Sequence, residues 1–286
     1  MSIEVAAAAL RRCFAQGGAL LCCAGAGMGV DSGLPDFRGP QGFWRAYPAY
    51  EKLGLSFEQL ADPSWFQRDS ALAWGFYGHR FNLYRKTKPH DGYTVLRTLG
   101  ERAPAGNFVF TSNVDGSFEA AGFASDRICE VHGAIQTFQC TKNDHGLWSA
   151  PAGEIDVCPQ TFRARGALPT CPCCGALARP NILMFGDADW QEERCGVQTA
   201  RLIAFIDTLE RSCPLVIVEA GAGRAVPTVR RFSEQMLRTF AQARLVRINV
   251  REAAADDDII KDRVIEISLG ARAALAAVAA LCQGTL

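Results

Sequence analysis

Short apolar runs alternate with longer stretches of helical periodicity along most of the chain. Leu20–Ala24 is apolar at every position, which predicts a strand buried on both faces. Asn107–Thr111, Ile128–Val131, Leu215–Glu219, Arg244–Val250 and Val264–Ile267 read as further short strands. Apolar residues recur at helical spacing over 3–16, 191–211, 227–242 and 270–282, and Gly17-Gly18 stops the first of these helices. From Tyr50 to Arg85 the pattern is helical and aromatic, and its stripe reads as packing, with Asp62-Pro63-Ser64 as a helix start. This alternation predicts an α/β fold built on a doubly wound parallel sheet. Two regions break it. Residues 25–42 lack periodicity, as a loop closing over a ligand would, and 140–175 is rich in Cys, Pro and Gly.

With 286 residues, 49% of them hydrophobic, the chain can bury a full core as one large domain, or a large domain with a small insert. Its 30 basic and 30 acidic residues balance, so charge implies no nucleic-acid and no membrane partner. Ala6–Leu10 is too short for the apolar core of a secretion signal, and Ala271–Leu281 is too short to span a bilayer. A soluble, cytoplasmic protein is therefore expected. In a reducing compartment its 12 cysteines suit buried thiols and metal ligation better than a disulfide framework.

The candidate chemistry sits where strands end. The first strand runs into Gly25-Ala26-Gly27-Met28, where missing Cβ atoms and exposed N–H groups would admit a phosphate. A tight turn would look the same. There is no third glycine at dinucleotide-fold spacing and no acidic residue in the ribose position, which disfavours an ordinary dehydrogenase. The second strand ends in Thr111-Ser112-Asn113-Val114-Asp115-Gly116, polar groups at the ligand edge of an open sheet. The third delivers His132-Gly133. Cys171-x2-Cys174 followed by Gly175 has the shape of a zinc knuckle.

Taken together, Gly25-Ala26-Gly27-Met28-Gly29 through Ser32-Gly33-Leu34-Pro35-Asp36-Phe37-Arg38-Gly39 closely resembles the cofactor loop of the sirtuins, NAD-dependent protein deacylases. Gly29 stands where that family usually has serine. The resemblance continues in order to about Asn249. It implies that NAD is held by Gly25, Ala26, Gly27, Met28, Asp36, Phe37, Arg38, Trp44, Ser112, Asn113, Asp115, Gly221, Ala222, Gly223 and Asn249. Asn113 and Asp115 would hold the nicotinamide end, with Ser112 replacing the family's glutamine. Arg224 is a candidate phosphate contact. His132 would be the general base and Asn113 a catalytic partner. Leu177-Ala178-Arg179-Pro180 through Met184-Phe185-Gly186-Asp187 resembles the segment that pairs with a substrate peptide, so Met184, Phe185 and Gly186 are candidate substrate contacts. The resemblance also implies one structural zinc, held by Cys140, Cys171, Cys174 and a fourth ligand. The family's second cysteine falls on Asn143, which cannot ligate; His145 is the choice for the fourth ligand, with Cys158, in a stretch that looks like an insertion, as the alternative. Finally, Phe76-Tyr77-Gly78-His79-Arg80 resembles the Phe-Tyr-x-x-Arg-Arg of the sirtuin branch acting on succinyl- and malonyl-lysine, with Phe81 in place of the second arginine. Tyr77 and Arg80 would grip an acyl carboxylate.

The implied architecture is a Rossmann-type domain of residues 1–42, 91–135 and 179–286. A small domain would join a helical insert, 43–90, to a zinc module, 136–178. The implied reaction transfers the acyl group of an acyl-lysine protein or peptide to ADP-ribose, releasing nicotinamide and free lysine. Asp36, Phe37 and Arg38 would help exclude water, which competes by hydrolysis. Two alternatives stay open: an ADP-ribosyltransferase or NAD hydrolase on the same scaffold, and a non-catalytic NAD or ADP-ribose sensor.

Overall fold

The computed structural model describes residues 1–35, 47–52, 54–142, 145–255 and 257–283. Its strands are β1 (Ala19–Ala24), β2 (Asn107–Thr111), β3 (Ile128–Glu130), β4 (Gly133–Cys140), β5 (Trp148–Ser149), β6 (Ala178–Ile182), β7 (Leu215–Ala220), β8 (Ala243–Ile248) and β9 (Val264–Ile267). The main helices are α1 (Ser2–Ala15), α2 (Gly27–Val30), α3 (Ser70–Lys86), α4 (Asp91–Glu101), α5 (Glu193–Asp207), α6 (Thr228–Thr239) and α7 (Ala271–Gln283). Six strands form one sheet in the order β3-β2-β1-β7-β8-β9, every pair parallel. That is the doubly wound order, in which the chain reverses direction across the sheet between β1 and β7. β4, β5 and β6 make a separate antiparallel sheet in the order β5-β4-β6.

The alternation of β1 decides where the two main cores lie, because successive side chains point to opposite faces. Leu20, Cys22 and Ala24 pack on one face with Leu10 of α1, Tyr93 and Leu96 of α4 and Leu275 of α7. Ala19, Leu21 and Cys23 pack on the other with Leu202 and Phe205 of α5 and Leu237 of α6. All six residues of β1 are buried, as an all-apolar run requires. A third core joins the aromatic face of α3 to the small sheet. There Trp74 lies 5.3 Å from Phe138 between ring centres, and its indole N–H donates to the Ala178 carbonyl at 2.9 Å.

Three elements depart from the pattern read in the sequence. The aperiodic stretch after Ala24 opens with a short helix, α2. α4 was not among the helices read from the sequence. The His90 side chain accepts from the Gly92 N–H at 3.0 Å and starts a helix there. β4, which runs up to the cysteine-rich tract, was not among the strands read from the sequence; it pairs with β6. Asp36, Phe37 and Arg38, the expected cover of the cofactor, Trp44, an expected cofactor contact, and Asn143 fall outside the described residues. Among the described residues no helix is long and apolar enough to cross a membrane.

One polar group is sealed inside this frame. Arg247 of β8 faces Glu219 of β7, its register partner, through Nε–Oε1 and Nη2–Oε2 at 2.6 and 3.3 Å, and reaches Glu234 of α6 at 2.9 Å. Arg247 is 0% and Glu219 1% exposed. Removing one member of a buried, hydrogen-bonded ion group leaves its partner charged without compensation. Arg247→Met is therefore expected to lower folding stability by about 3–5 kcal/mol, read as a shift in the urea unfolding midpoint; a loss under about 1 kcal/mol would show that water already reaches the pair.

Candidate active site and metal centre

The loops that follow β1, β2, β7 and β8 meet at the carboxyl edge of the large sheet. The Asn113 amide donates to the Gly25 carbonyl at 3.0 Å, and the Thr111 hydroxyl to the Ala24 carbonyl at 2.9 Å. The Gly25 N–H bonds to the Ala220 carbonyl and that of Gly27 to the Gly221 carbonyl, both at 3.0 Å. The Asn249 amide holds the Ala222 carbonyl at 2.8 Å, while its oxygen accepts from the N–H groups of Arg251 and Glu252. The close approach is possible only for glycine. A Cβ on Gly25 would lie 2.8 Å from the Ala222 Cα, and one on Gly221, at φ +66°, would lie 2.2 Å from the Met28 nitrogen.

This crevice is the topological switch point, where an α/β sheet of this order takes its ligand. Gly25 to Met28 follow β1, Ser112, Asn113 and Asp115 follow β2, Gly221 to Gly223 follow β7 and Asn249 follows β8, so all of these residues sit on the loops that meet there. Burial raises the Asp115 pKa, against hydrogen bonds from Ser117 and the charge of Arg80. His132 follows β3 at the same edge, half-buried. Burial lowers its pKa below the ordinary histidine value of 6.5, opposed by a hydrogen bond to the backbone of Ser112. Its Nε2 stands 3.5 Å from the Thr228 hydroxyl. The imidazole is thus neutral near pH 7, held on one side and facing the start of α6 on the other.

Downstream of β6, the segment around Met184 folds on Asp187. Asp187 takes the Arg179 guanidinium at 2.6 Å and the Met184 N–H at 3.2 Å. Met184 is buried in the third core, whereas Phe185 is 45% exposed and its N–H is bonded to the Ala61 carbonyl at 2.8 Å. Gly186 is exposed beside it. On α3, Tyr77 and Arg80 share a face with Tyr84. The Arg80 Nε donates to the Tyr84 hydroxyl at 3.0 Å, and its guanidinium carbon lies 5.2, 5.4, 5.8 and 5.9 Å from the ring centres of Phe76, Tyr84, Tyr77 and Phe57. The Tyr77 hydroxyl is buried with no hydrogen-bond partner among the described residues.

Thr228, Glu252 and Tyr84 were not singled out in the sequence. Glu252 takes the Arg224 N–H at 3.0 Å and so ties the loop after β7 to the one after β8. Each is a common residue on a helix or loop, and only the tertiary contact marks it.

At the far end of β4, Cys140, His145, Cys171 and Cys174 bring their donor atoms within 4.8 Å of one another. The Cys140 and Cys174 sulfurs are 3.7 Å apart, and the His145 Nδ1 is 3.3 Å from the Cys171 sulfur. Bond lengths of about 2.3 Å for sulfur and 2.0–2.1 Å for nitrogen place tetrahedral zinc ligands about 3.6–3.8 Å apart; the Cys140–Cys174 pair has that spacing, and the His145–Cys171 pair is about 0.3 Å closer. Cys158 lies elsewhere, its thiol 3.3 Å from the Gln160 side-chain oxygen.

Residues 25–208 match the model of the Sir2 family, and the chain belongs to that family. It is 32% identical over 232 residues to NAD-dependent protein deacylase 2 of Pyrobaculum aerophilum, covering 80% of this chain and 79% of that protein. It is 36% identical over 165 residues to NAD-dependent protein deacylase 1 of Caldanaerobacter subterraneus subsp. tengcongensis, 57% of this chain. That match spans 59% of the relative's length, as does a 35% identical match to the Pyrococcus furiosus NAD-dependent protein deacylase. Among solved structures, a Sir2 homologue mutant in complex with ADP-ribose superposes with a TM-score of 0.64 at 21% identity, covering 92% of this chain and 91% of that one. A Sir2 structure bound to acetylated peptide gives 0.62 at 18% identity, with 91% of each chain covered. At these identities the likeness is one of fold.

The metal centre carries its own test. Four protein ligands close the coordination sphere, so the ion would contribute to folding and leave chemistry to the crevice. Wild-type protein is expected to hold one zinc per chain by elemental analysis, Cys171→Ala to lose it along with several degrees of melting temperature, and Cys158→Ala to keep it. Full zinc in His145→Ala would remove His145 from the ligand set.

Proposed function

We propose that this protein is an NAD-dependent protein-lysine deacylase, and one observation carries the reading. A neutral, half-buried histidine, His132, follows β3 at the carboxyl edge of the sheet, hydrogen-bonded to the backbone of Ser112, the residue before Asn113, whose amide holds the Gly25 carbonyl. A pure binder has no need of a base there. The named activity of the relatives and the shared fold support the same reading.

Gly25 to Met28, Ser112, Gly221 to Gly223 and Asn249 would hold NAD along the crevice, with Asn113 and Asp115 at its nicotinamide end. When bound, NAD would supply the ADP-ribose that receives the acyl group; with one water consumed to release the amine, the products are nicotinamide, free lysine and O-acyl-ADP-ribose. His132 accepts a proton from the attacking hydroxyl; burial keeps it unprotonated beforehand, and the Ser112 backbone fixes its ring. Leu183, whose N–H bonds to the His132 carbonyl at 3.0 Å, ties this base to the segment Met184-Phe185-Gly186, beside which an acyl-lysine peptide would lie.

The acyl group read by this site is acidic. Arg80, ringed by aromatic side chains, offers a guanidinium to a terminal carboxylate, and the unpartnered Tyr77 hydroxyl offers a further donor. Succinyl- and malonyl-lysine fit that chemistry.

Mass spectrometry of an acyl-peptide incubated with NAD tests the reaction: free lysine with O-acyl-ADP-ribose supports it, and an ADP-ribosyl adduct on the protein or peptide points to transfer instead. His132→Ala is expected to keep the fold and lose turnover by about 10²–10⁴-fold. Because the base must be unprotonated and burial lowers its pKa, kcat/KM should fall with decreasing pH only below the ordinary value of 6.5. A limb at or above that value would place the controlling group elsewhere. Arg80→Met is expected to depress desuccinylation about tenfold or more beyond any effect on deacetylation. Equal losses on both peptides would return Arg80 to a packing role.

A further inference from the structure

Helix α3 is buried on nearly every side, and two of its faces oppose each other. Tyr77, Arg80 and Tyr84 recur at i, i+3 and i+7 on one face. Gly75, Gly78 and Asn82 recur at the same spacing on the opposite face, and the backbone of a hairpin, residues 151–166, lies directly against them. A Cβ on Gly75 would sit 1.9 Å from the Phe162 carbonyl oxygen, and one on Gly78 would sit 2.7 Å from the Ile155 side chain. The Asn82 amide pins the hairpin in both directions, donating to the Ile155 carbonyl at 2.7 Å and accepting from its N–H at 2.9 Å. Arg85 donates to the Pro151 and Gly153 carbonyls, and the Ala164 N–H donates to the Ala71 carbonyl at 2.8 Å. Arg163 pairs with Asp69 at the helix start.

The hairpin closes on itself through the Val157–Ala164 bridge, and its tip holds Phe162 at φ +49°. A phenylalanine in the left-handed region is strained, and such strain persists only where surrounding contacts impose it. Those contacts are present. The Phe162 ring centre is 5.2 Å from both Tyr47 and His79, and its carbonyl accepts from the Tyr50 hydroxyl at 2.7 Å. Tyr47 in turn lies 5.5 Å from Phe76, whose ring is 5.2 Å from the Arg80 guanidinium. Packing is therefore continuous from the hairpin tip to Arg80.

We propose that the 151–166 hairpin is a specificity element that backs α3 and sets how far Arg80 stands from the acyl terminus, with Phe162 and Gly75 as its positioning residues. This rests on the acidic-acyl reading of Arg80 given above. A helix held from behind at a backbone contact has little freedom to shift, and a displacement of about 1 Å at a recognition group can cost on the order of 10²-fold.

The test compares kcat/KM on succinyl- and acetyl-peptides for Phe162→Ala, Asn82→Ala and Gly75→Ala, with zinc content and melting temperature recorded for each. The first two variants release the backing; the third pushes the helix away from it. The proposal expects the succinyl-to-acetyl ratio to fall about tenfold or more in at least two variants that keep their zinc, with deacetylation within about threefold of wild type. Equal losses on both peptides, or an unchanged ratio in all three folded variants, would overturn it. Arg80→Met run alongside separates the two layers. If that change lowers the ratio while the hairpin variants do not, the hairpin role fails and the reading of Arg80 stands. If Arg80→Met leaves the ratio unchanged, the reading of Arg80 fails and the hairpin role falls with it.

Discussion

The candidate site depends on two stretches of backbone lying in contact. The loops after β1 and β7 touch at Gly25 and Gly221, and no side chain larger than hydrogen fits at either position. That contact follows from the sheet order, since β1 and β7 are adjacent parallel strands whose carboxyl ends must leave the sheet side by side. Two asparagines at the edge hang from it. Asn113 bonds to the Gly25 carbonyl and Asn249 to the Ala222 carbonyl, each one residue from the contact or at it. The arrangement of donors along the crevice is therefore a backbone property, kept by glycine and two asparagines and tolerant of change in the side chains between them.

Much of this could be read from the chain. The all-apolar Leu20–Ala24 run, the glycines after it and the polar cluster at Ser112 to Asp115 carry local signals strong enough to locate the strands and their ligand edge. The ligand set Cys140, His145, Cys171 and Cys174 also assembled in the structure: the knuckle marked Cys171 and Cys174 locally, and the family resemblance pointed to Cys140 and His145. What was illegible depends on contacts distant in sequence. α4 begins where the His90 ring caps the Gly92 N–H, and β4 pairs with β6. Thr228 near His132, and Tyr84 on Arg80, carry no mark of their own, and a threonine after proline or a tyrosine on an aromatic helix is ordinary until its neighbour is known.

The inserted stretch shows the same limit from the other direction. In the sequence it is a Pro- and Gly-rich excursion containing a spare cysteine, and the eye goes to that cysteine. In the structure the informative residues are two glycines on a helix more than seventy positions earlier. They read there as poor helix formers, yet the hairpin occupies the space their side chains would take, with the Phe162 backbone against Gly75 and the Ile155 and Val157 side chains against Gly78.

The metal centre acquires a second meaning from where that excursion begins and ends. Cys140 closes β4, and Cys171 and Cys174 precede β6, so a zinc ion held by them joins the two ends of the segment that carries the hairpin. The intervening chain of roughly thirty residues would then be a closed ring, its ends already side by side through the pairing of Cys140 with Ala178 and held there by the metal, so the hairpin's own contacts need not meet the entropy of closure. A weak set of contacts suffices to dock a ring that has already been closed. An ion bound outside the crevice would thus support the rear wall of α3 without touching it.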